Sequence, residues 1–227
     1  MHSIAIDGPA GAGKSTIAKR VAKELGFIYV DTGAMYRAMA LYFLRHGISG
    51  EDEKGISEAC DAIAVSIEYE NGEQQVLLNG ENVNALIRTE EVSMMTSDTS
   101  KYRVVREKLL SLQRELAKKK DVIMDGRDIG TCVLPEADLK VYLTASPAER
   151  ARRRYKELQE KGTVCDFEKI KQDIIARDEQ DMNREVSPLR QAEDAVLVDA
   201  SDMTIEEVTE KIVSLYQDRQ LYLWDGK

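Results

Sequence analysis

A run near the start of the chain has the residue types and spacing of a phosphate-binding loop. Gly8-Pro-Ala-Gly-Ala-Gly-Lys-Ser follows the pattern G-x-x-x-x-G-K-S. Its glycines let the backbone turn with the N–H groups inward, and the helix that follows adds its dipole, so the loop forms a concave anion site. Lys14 can reach the β- and γ-phosphates of a nucleotide, and the Ser15 hydroxyl can ligate Mg²⁺. The pattern also occurs as a ligand-free turn, so the neighbouring segments decide between a phosphate-binding loop and such a turn.

The segments on either side of this loop stand in the required order, a strand before it and a helix after it. Ser3–Asp7 is a short apolar run with β-branched residues, which is typical of a buried strand. The residues after the loop place Ile17, Val21 and Leu25 on one helical face. We therefore predict a P-loop that binds ATP through Gly8, Pro9, Ala10, Gly11, Ala12, Gly13, Lys14, Ser15 and Thr16.

Asp125 ends another apolar run, where P-loop proteins keep the acidic partner of their Mg²⁺ site. The alternative is an aspartate that only opens a turn before Gly126. Because Arg127 and Asp128 crowd the same edge, we favour a functional role. The predicted metal ligands are Ser15 and Asp125.

Arginines form the next candidate group. Arg37 lies one turn into the second predicted helix. Arg177, Asp181 and Arg184 are spaced i, i+4 and i+7, so one helical face presents two guanidinium groups around a carboxylate. A solvated face with ion pairs is the alternative interpretation, and the spacing favours a functional role.

A very basic helix is predicted from Pro147 to Gly162, with arginines at Arg150, Arg152, Arg153 and Arg154. Its acidic residues include Glu149, four positions before Arg153, and Glu157, four positions after it. These pairs fit a solvated helix laced with ion pairs as well as they fit a phosphate-binding element.

The balance of arginine and histidine bears on the acceptor. A hydroxyl acceptor needs a base to remove its proton, and the chain has only His2 and His46. A phosphate monoester is already largely dianionic, with a second pKa near 6, and needs clamping by cations instead. The sequence therefore favours a phosphate acceptor over an alcohol.

Composition limits the partners. The chain has 41 acidic against 32 basic residues and a net charge of −9, which argues against stable nucleic-acid binding and against adhesion to anionic membranes. No apolar run approaches the length of a membrane-spanning helix. The first strand is predicted to begin at residue 2 or 3, so we expect no signal peptide. The cysteines are few, odd in number and far apart, which indicates neither disulfides nor a zinc site and favours the cytoplasm.

Strands and helices alternate along most of the chain. About five strands predict an α/β fold with a mostly parallel sheet covered on both faces; they are Ser3–Asp7, Phe27–Asp31, Asp121–Asp125, Leu139–Leu143 and Ala195–Asp199. Ligands in such folds bind beyond the carboxyl ends of the strands. The P-loop, Asp31-Thr32 and Asp125–Asp128 are all predicted to lie there.

One segment interrupts this alternation. Two runs with alternating apolar and polar residues flank Asn71-Gly72, which is a strong hairpin signal, and Val83 is predicted on a third short strand. We predict a small antiparallel insert at about residues 63–85. Thr32 is predicted to cap the second helix, and the last helix is predicted from Thr204, paired with Glu207, to about Tyr216.

Taken together, the motifs resemble those of bacterial cytidylate kinases, in the order of that family and across nearly the whole chain. They are Gly8–Ser15, Asp31–Arg37, Ile87–Val92, Asp125–Thr131 and Arg177–Arg184. Two positions depart from the family: Thr32 stands where serine is frequent, and Ser15-Thr16 stands where some members have Gly-Thr. The hydroxyl is kept at the first position, whereas the second makes the metal role of Ser15 weaker than the role of Lys14.

The resemblance implies a P-loop nucleoside monophosphate kinase that transfers the γ-phosphoryl group of ATP to CMP or dCMP with Mg²⁺, giving ADP and CDP or dCDP. It implies one monomeric kinase unit with the antiparallel insert and a helical lid. The core would comprise about residues 1–31, 103–147 and 166–227, the monophosphate-binding region about 32–102, and the lid about 148–165.

The resemblance also implies roles for individual residues. The cytidine pocket would contain Thr32, Tyr36, Ser97, Arg106 and Asp128. The acceptor phosphate would be held by Arg37 and Arg127, with Arg177 and Asp181 by the ribose and Arg184 near the phosphates. Arg153 and Arg154 would be lid groups. The implied catalytic residues are thus Lys14, Arg127, Arg153, Arg154 and Arg184.

Other classes of protein remain as alternatives. A GTPase switch would need the motifs D-x-x-G and N-K-x-D, but Asp128 stands where the first needs glycine, and Lys118 stands where the second needs asparagine. A small-metabolite kinase would use Asp128 as a general base. A non-catalytic nucleotide-binding module would leave the arginine sets unexplained.

Overall fold

The structure is a computed structural model and describes residues 1–225 of the chain. Its strands are β1 (Ser3–Asp7), β2 (Ile28–Asp31), β3 (Val65–Glu70), β4 (Glu73–Leu78), β5 (Glu81–Asn82), β6 (Val122–Gly126), β7 (Leu139–Thr144) and β8 (Val196–Asp199). Its helices are α1 (Lys14–Leu25), α2 (Thr32–Arg45), α3 (Glu53–Cys60), α4 (Glu90–Thr99), α5 (Arg103–Lys119), α6 (Pro147–Glu160), α7 (Phe167–Asn183) and α8 (Ile205–Asp225), and a single π-helical turn covers Ile129–Val133.

A five-stranded parallel sheet in the order β2-β6-β1-β7-β8 forms the centre of the molecule. The interior positions of its strands are mostly apolar because helices cover both faces. Ile4 and Ile6 pack on one face against α1 and α8, whereas Ala5 between them packs on the other face with α2 and α5. The α/β fold with five parallel strands is confirmed.

A second, antiparallel sheet has the order β3-β4-β5 and lies within the predicted insert. Its first turn holds Asn71 at φ 52° and Gly72 at φ 80°, and two successive positive φ angles suit the twist of a tight hairpin. The third strand is Glu81–Asn82. Val83, predicted on that strand, follows it instead, because its side chain is buried in the core next to α2.

Two helix ends differ from the predictions. Asp31 caps α2 by accepting a hydrogen bond from the Ala34 amide at 2.9 Å, and Thr32 is already helical. The predicted Thr32 cap was therefore wrong by one residue, because the carboxylate at the strand end takes the capping position. The last helix continues to Asp225, since neither glycine nor proline interrupts the sequence after Tyr216. The predicted pairing of Thr204 with Glu207 at its start is confirmed.

The loops that follow β1, β2 and β6 meet at one edge of the parallel sheet, because β2, β6 and β1 are neighbours. Asp31 and Asp125 lie side by side in this register, and Ile6 is opposite Asp125 in β1. Among the residues that the structure describes, no helix is long and apolar enough to cross a membrane.

Candidate active site

The P-loop lies between β1 and α1, and its backbone requires glycine at two points. A side chain at Gly8 would place its Cβ 1.9 Å from the carbonyl oxygen of Leu143, so only glycine fits. Gly13 is left-handed, with φ 91°, and directly precedes α1. The amino end of α1 therefore opens into the loop, which is the arrangement that binds phosphate.

Lys14 is a buried cation at the start of α1. Its Nζ donates a hydrogen bond to the carbonyl oxygen of Pro9 at 2.8 Å. Burial lowers the pKa of Lys14 to about 7, and the charge of Arg127 acts in the same direction, whereas Asp125 and Asp7 act against it. An anion bound beside Lys14 would raise this pKa again, so the site favours phosphate.

Ser15 and Asp125 come together as predicted for a metal site. The Ser15 hydroxyl donates to Asp125 Oδ2 at 2.8 Å, and the Tyr29 hydroxyl donates to Asp125 Oδ1 at 2.9 Å. Burial raises the pKa of Asp125, and the nearby Asp31 raises it further. Within residues 1–225, no group of three or more His, Cys, Asp and Glu side chains could hold a metal by itself. A Mg²⁺ ion shared with phosphates needs only one or two protein oxygens, which Ser15 and Asp125 could supply.

Asp31 gathers two guanidinium groups at the end of β2. Arg37 Nη2 lies 3.2 Å from Asp31 Oδ2, and Arg88 Nη2 lies 2.6 Å from the same oxygen. Burial alone would raise the pKa of Asp31, but Arg37 and Arg88 hold it below its usual range. The buried Nε of Arg37 has no hydrogen-bond partner, so an anionic ligand could accept a hydrogen bond from it.

A second buried ion pair, between Arg106 and Asp128, lies beside Tyr36. Arg106 also donates to the Ser100 carbonyl oxygen at 3.1 Å, and its guanidinium carbon is 5.4 Å from the centre of the Tyr36 ring. Burial raises the pKa of Tyr36 to about 12. The Thr32 hydroxyl is close by and donates to the Asp125 carbonyl oxygen at 2.6 Å. Four of the five predicted pocket residues thus lie at this edge of the sheet.

The fifth pocket residue, Ser97, lies on α4 at the boundary with α7. Its hydroxyl donates to Gln180 Oε1 at 3.2 Å. This contact brings α4 against the helix that carries Arg177 and Asp181.

The end of α7 joins the P-loop side of the site to the Arg106–Asp128 pair. Arg127 Nε donates to Asp181 Oδ2 at 2.8 Å, and Arg184 lies 3.6 Å from Asp181 Oδ1 and 4.0 Å from Asp128 Oδ1. Burial alone would raise the pKa of Asp181, but Arg127 and Arg184 lower it. Buried nitrogens without a hydrogen-bond partner remain at Arg177 Nε and Arg184 Nη2. Guanidinium groups outnumber carboxylates here, so the site attracts anions.

The two predicted lid arginines of α6 occupy different surroundings. Arg153 Nη2 donates to the Ala200 carbonyl oxygen at 2.7 Å, and its Nη1 lies 3.4 Å from the Ala12 carbonyl oxygen in the P-loop. Arg154 instead pairs with Glu157 at 2.9 Å on the exposed side of the helix. The structure therefore brings Arg153 to the P-loop and leaves Arg154 away from it.

The comparison with known proteins agrees with this geometry. A family model described as cytidylate kinase matches residues 4–218.

This chain belongs to the cytidylate kinase family.

A cytidylate kinase from Caldicellulosiruptor bescii is 53% identical over 214 residues, which cover 94% of this chain and 95% of the relative. A cytidylate kinase from Lactobacillus johnsonii is 50% identical over 220 residues, which cover 97% and 96%. The family predicted from the motifs is confirmed. Membership of a kinase family decides against the GTPase switch.

Among solved structures, a gluconokinase from Sinorhizobium meliloti superposes with a TM-score of 0.52. The match covers 100% of this chain and 97% of the other, at 14% sequence identity. At that identity the likeness concerns the fold alone, and it agrees with the predicted P-loop kinase fold.

Three residues of this cytidylate kinase family member lie at the site although we did not predict them as site residues. Arg88 contacts Asp31, and Tyr29 contacts Asp125, as described above. Asp7 accepts hydrogen bonds from the amides of Ile129 and Gly130, at 2.8 and 2.7 Å, and so holds the π-helical turn after Asp128. Burial raises the pKa of Asp7 to about 6. Only its position at the end of β1 could have indicated this role.

Arg150 was not distinguished from the other arginines of the basic helix. Its side chain is 3% exposed and pairs with Asp178 of α7, with Nη1 3.1 Å from Asp178 Oδ1. It also donates to the carbonyl oxygens of Ala145 and Ala10, each at 2.9 Å. The interpretation as a solvated face holds for Arg152 and Arg154, whereas Arg150 supports the P-loop.

Proposed function

We propose that this protein transfers the γ-phosphoryl group of ATP to CMP or dCMP, giving ADP and CDP or dCDP. The observation that carries the proposal is the set of buried, incompletely paired guanidinium nitrogens beside a complete P-loop, at Arg37, Arg177 and Arg184. Such donors suit two phosphate-bearing ligands that meet at one edge of the sheet. Membership of the cytidylate kinase family supports the choice of base.

The donor phosphates would lie in the P-loop. Backbone N–H groups of the loop from Gly8 to Ser15, except Pro9, which has none, and the amino end of α1 would bind them, and Lys14 would contact the transferring group. Ser15 and Asp125 would hold Mg²⁺, since their oxygens already lie 2.8 Å apart and Asp125 is buried. When bound, Mg²⁺ neutralises charge on the ATP phosphates.

The acceptor phosphate would lie between Arg37 and Arg127. An oxygen of this dianionic group forms the new bond to the γ-phosphorus, while the bond from that phosphorus to the β–γ bridging oxygen breaks and ADP leaves. No protein base is needed, because the acceptor oxygen carries no proton at neutral pH. Lys14 and Arg184 stabilise the charge on the transferring group, and the protein contributes positioning and electrostatics.

The base would be read by Asp128 and Arg106. A carboxylate can accept from the N4 amino group of cytosine, and a guanidinium can donate to N3 or O2. Uracil presents an O4 acceptor and an N3–H donor at the same positions, so both contacts would become unfavourable. Thr32, Tyr36 and Ser97 would complete the pocket, and Arg177 and Asp181 would contact the ribose.

A coupled assay of ADP release across a panel of acceptors tests the proposal. We expect turnover with CMP and dCMP that exceeds turnover with UMP, and none above background with sugars or shikimate. Phosphorylation of a sugar or of shikimate in preference to CMP would instead identify a small-metabolite kinase with Asp128 as its base.

Three finer features stay predictions. They are the division into core, monophosphate-binding region and lid, the monomeric state, and the cytoplasmic location. Arg153 beside the P-loop supports a lid in α6, which would exclude water when both substrates are bound. Sedimentation of the purified protein tests the monomeric state.

A further inference from the structure

The antiparallel insert, β3 to β5, contacts the edge of the parallel sheet. β2 is an edge strand whose Ile28 amide donates to the Asp121 carbonyl oxygen at 2.9 Å, towards β6. Because backbone groups alternate in direction along a strand, those of Tyr29 and Asp31 face the open edge instead. Unpaired backbone groups at such an edge need partners from elsewhere.

A side chain of the insert supplies these partners. Gln74 Oε1 accepts from the Asp31 amide at 2.8 Å, and Gln74 Nε2 donates to the Asp31 carbonyl oxygen at 3.1 Å. The two hydrogen bonds copy what a neighbouring strand would provide. The carbonyl oxygen of Tyr29, which lies two residues before Asp31 in β2, accepts a hydrogen bond from the Tyr69 hydroxyl at 3.2 Å.

Gln74 is itself held in place within the insert. Asn84 Nδ2 donates to the Gln74 carbonyl oxygen at 2.8 Å, and Asn84 Oδ1 accepts from the Val76 amide at 2.9 Å. Since β5 ends at Asn82, the amide of Asn84 replaces the strand that would otherwise pair there. These two hydrogen bonds hold the backbone of β4 in place around Gln74, so the position from which its side chain extends is fixed.

The residue that Gln74 holds organises the cations of the acceptor site. The carboxylate of Asp31 caps α2 and pairs with both Arg37 and Arg88. A shift of the Asp31 backbone would move both guanidinium groups together. It would leave the P-loop in place, because the P-loop follows a different strand.

We propose that Gln74 is a positioning residue for the acceptor phosphate, through which the insert sets the affinity for the monophosphate. The inference rests on the proposed function. In this role, the side chain of Gln74 connects the insert to the acceptor site through its two hydrogen bonds with the backbone of Asp31.

Steady-state kinetics of Gln74→Leu test this role. The variant keeps much of the side-chain volume and loses both hydrogen bonds. Because two neutral hydrogen bonds are lost, we expect KM for CMP to rise about tenfold, with kcat within about twofold and KM for ATP unchanged. Gln74→Asn, whose amide is too short to reach Asp31, serves as a second variant with the same expected change.

Tyr69→Phe is the matched control, because it removes the other hydrogen bond to β2 and leaves Asp31 paired. Its KM for CMP should stay within about twofold of the parent protein. An unchanged KM for CMP in both Gln74 variants, or an equal fall in kcat and in ATP affinity, would overturn this inference but not the proposed function. Failure of the parent protein to use CMP would overturn the proposed function, and the inference with it.

Discussion

Charge at the site is unevenly distributed among individual side chains. Lys14 is buried with its pKa lowered to about 7, and Arg177 and Arg184 keep buried nitrogens without hydrogen-bond partners. Each of these groups is stabilised when an anion binds beside it. Under the proposed function, phosphate-bearing substrates offset the cost of burying these cations, so binding and catalysis should depend on few side chains.

Lys14→Ala should lower kcat by about two orders of magnitude or more, because Lys14 is proposed to stabilise charge on the transferring phosphoryl group. The fold should persist, since the hydrogen bond that Lys14 Nζ donates goes to the adjoining loop, at the Pro9 carbonyl oxygen, and not to the core. The measurements are kcat from the ADP-release assay and the circular dichroism spectrum. Lys23→Ala, an exposed position on the same helix, is the control, and near-normal turnover in Lys14→Ala would refute the assignment.

Asp128→Asn should lower the preference for CMP over UMP. The new amide can donate to O4 of uracil, which the carboxylate cannot, so the ratio of kcat/KM should fall about tenfold. Asp181→Asn is the matched control, because its proposed contact is with the ribose and both acceptors should lose activity equally. A ratio that stays constant in an active Asp128→Asn variant would contradict the proposed pocket.

The arrangement of helices decides how the arginines can act. Of the four arginines of α6, Arg150 and Arg153 donate to carbonyl oxygens of the P-loop, whereas Arg152 and Arg154 are exposed. A small rotation of α6 would change which of these groups faces the phosphates. This arrangement supports the proposed lid role of α6.

Arg153→Ala combined with Arg154→Ala should reduce kcat more than it changes KM for CMP, because the proposed lid groups would act on the transferring phosphate rather than on the acceptor. We expect a fall in kcat of at least about tenfold. The single variants separate the two contributions, and Arg152→Ala, which removes an exposed ion pair with Glu149, is the control. A change confined to KM for CMP would show that these arginines serve acceptor binding.

The periodicity of the sequence was enough to predict the parallel sheet and the hairpin at Asn71-Gly72, because both depend on neighbours in the chain. Motifs likewise pointed to Lys14, Asp125 and Asp128. Arg150 and Gln74 could not be predicted, since their partners Ala10 and Asp31 are far away in the sequence. Nothing local distinguishes such residues from ordinary surface polar groups.

The molecule as a whole is acidic, with a net charge of −9, yet its ligand edge is rich in arginine. This contrast keeps anions away from most of the surface and attracts them to one place. Buried acids at the same edge, such as Asp7 and Asp125, have raised pKa values. Their burial links the stability of the whole fold to pH.

Asp7 should make the protein more stable as the pH falls from about 6 to 4. Its folded pKa of about 6 exceeds the ordinary value of 3.8, so the folded state binds more protons in that window. Relative to Asp7→Asn, the free energy of unfolding of the parent protein should rise by on the order of 3 kcal/mol between pH 7 and pH 4. Urea unfolding at a series of pH values measures this difference, and a difference independent of pH would contradict the assigned shift.

If α6 moves as the proposed lid, the buried contacts of Arg150 would make its first turn a fixed pivot, with the rest of the helix as a lever. Its guanidinium is tied to the P-loop, to the end of β7 and to Asp178. From Arg150 to Glu160 the lever is about 15 Å long, at 1.5 Å per residue. A tilt of about 20° would therefore move the far end by about 5 Å while Ala10 stays in place. Substrate could enter beneath α6 without disturbing the loop that binds ATP.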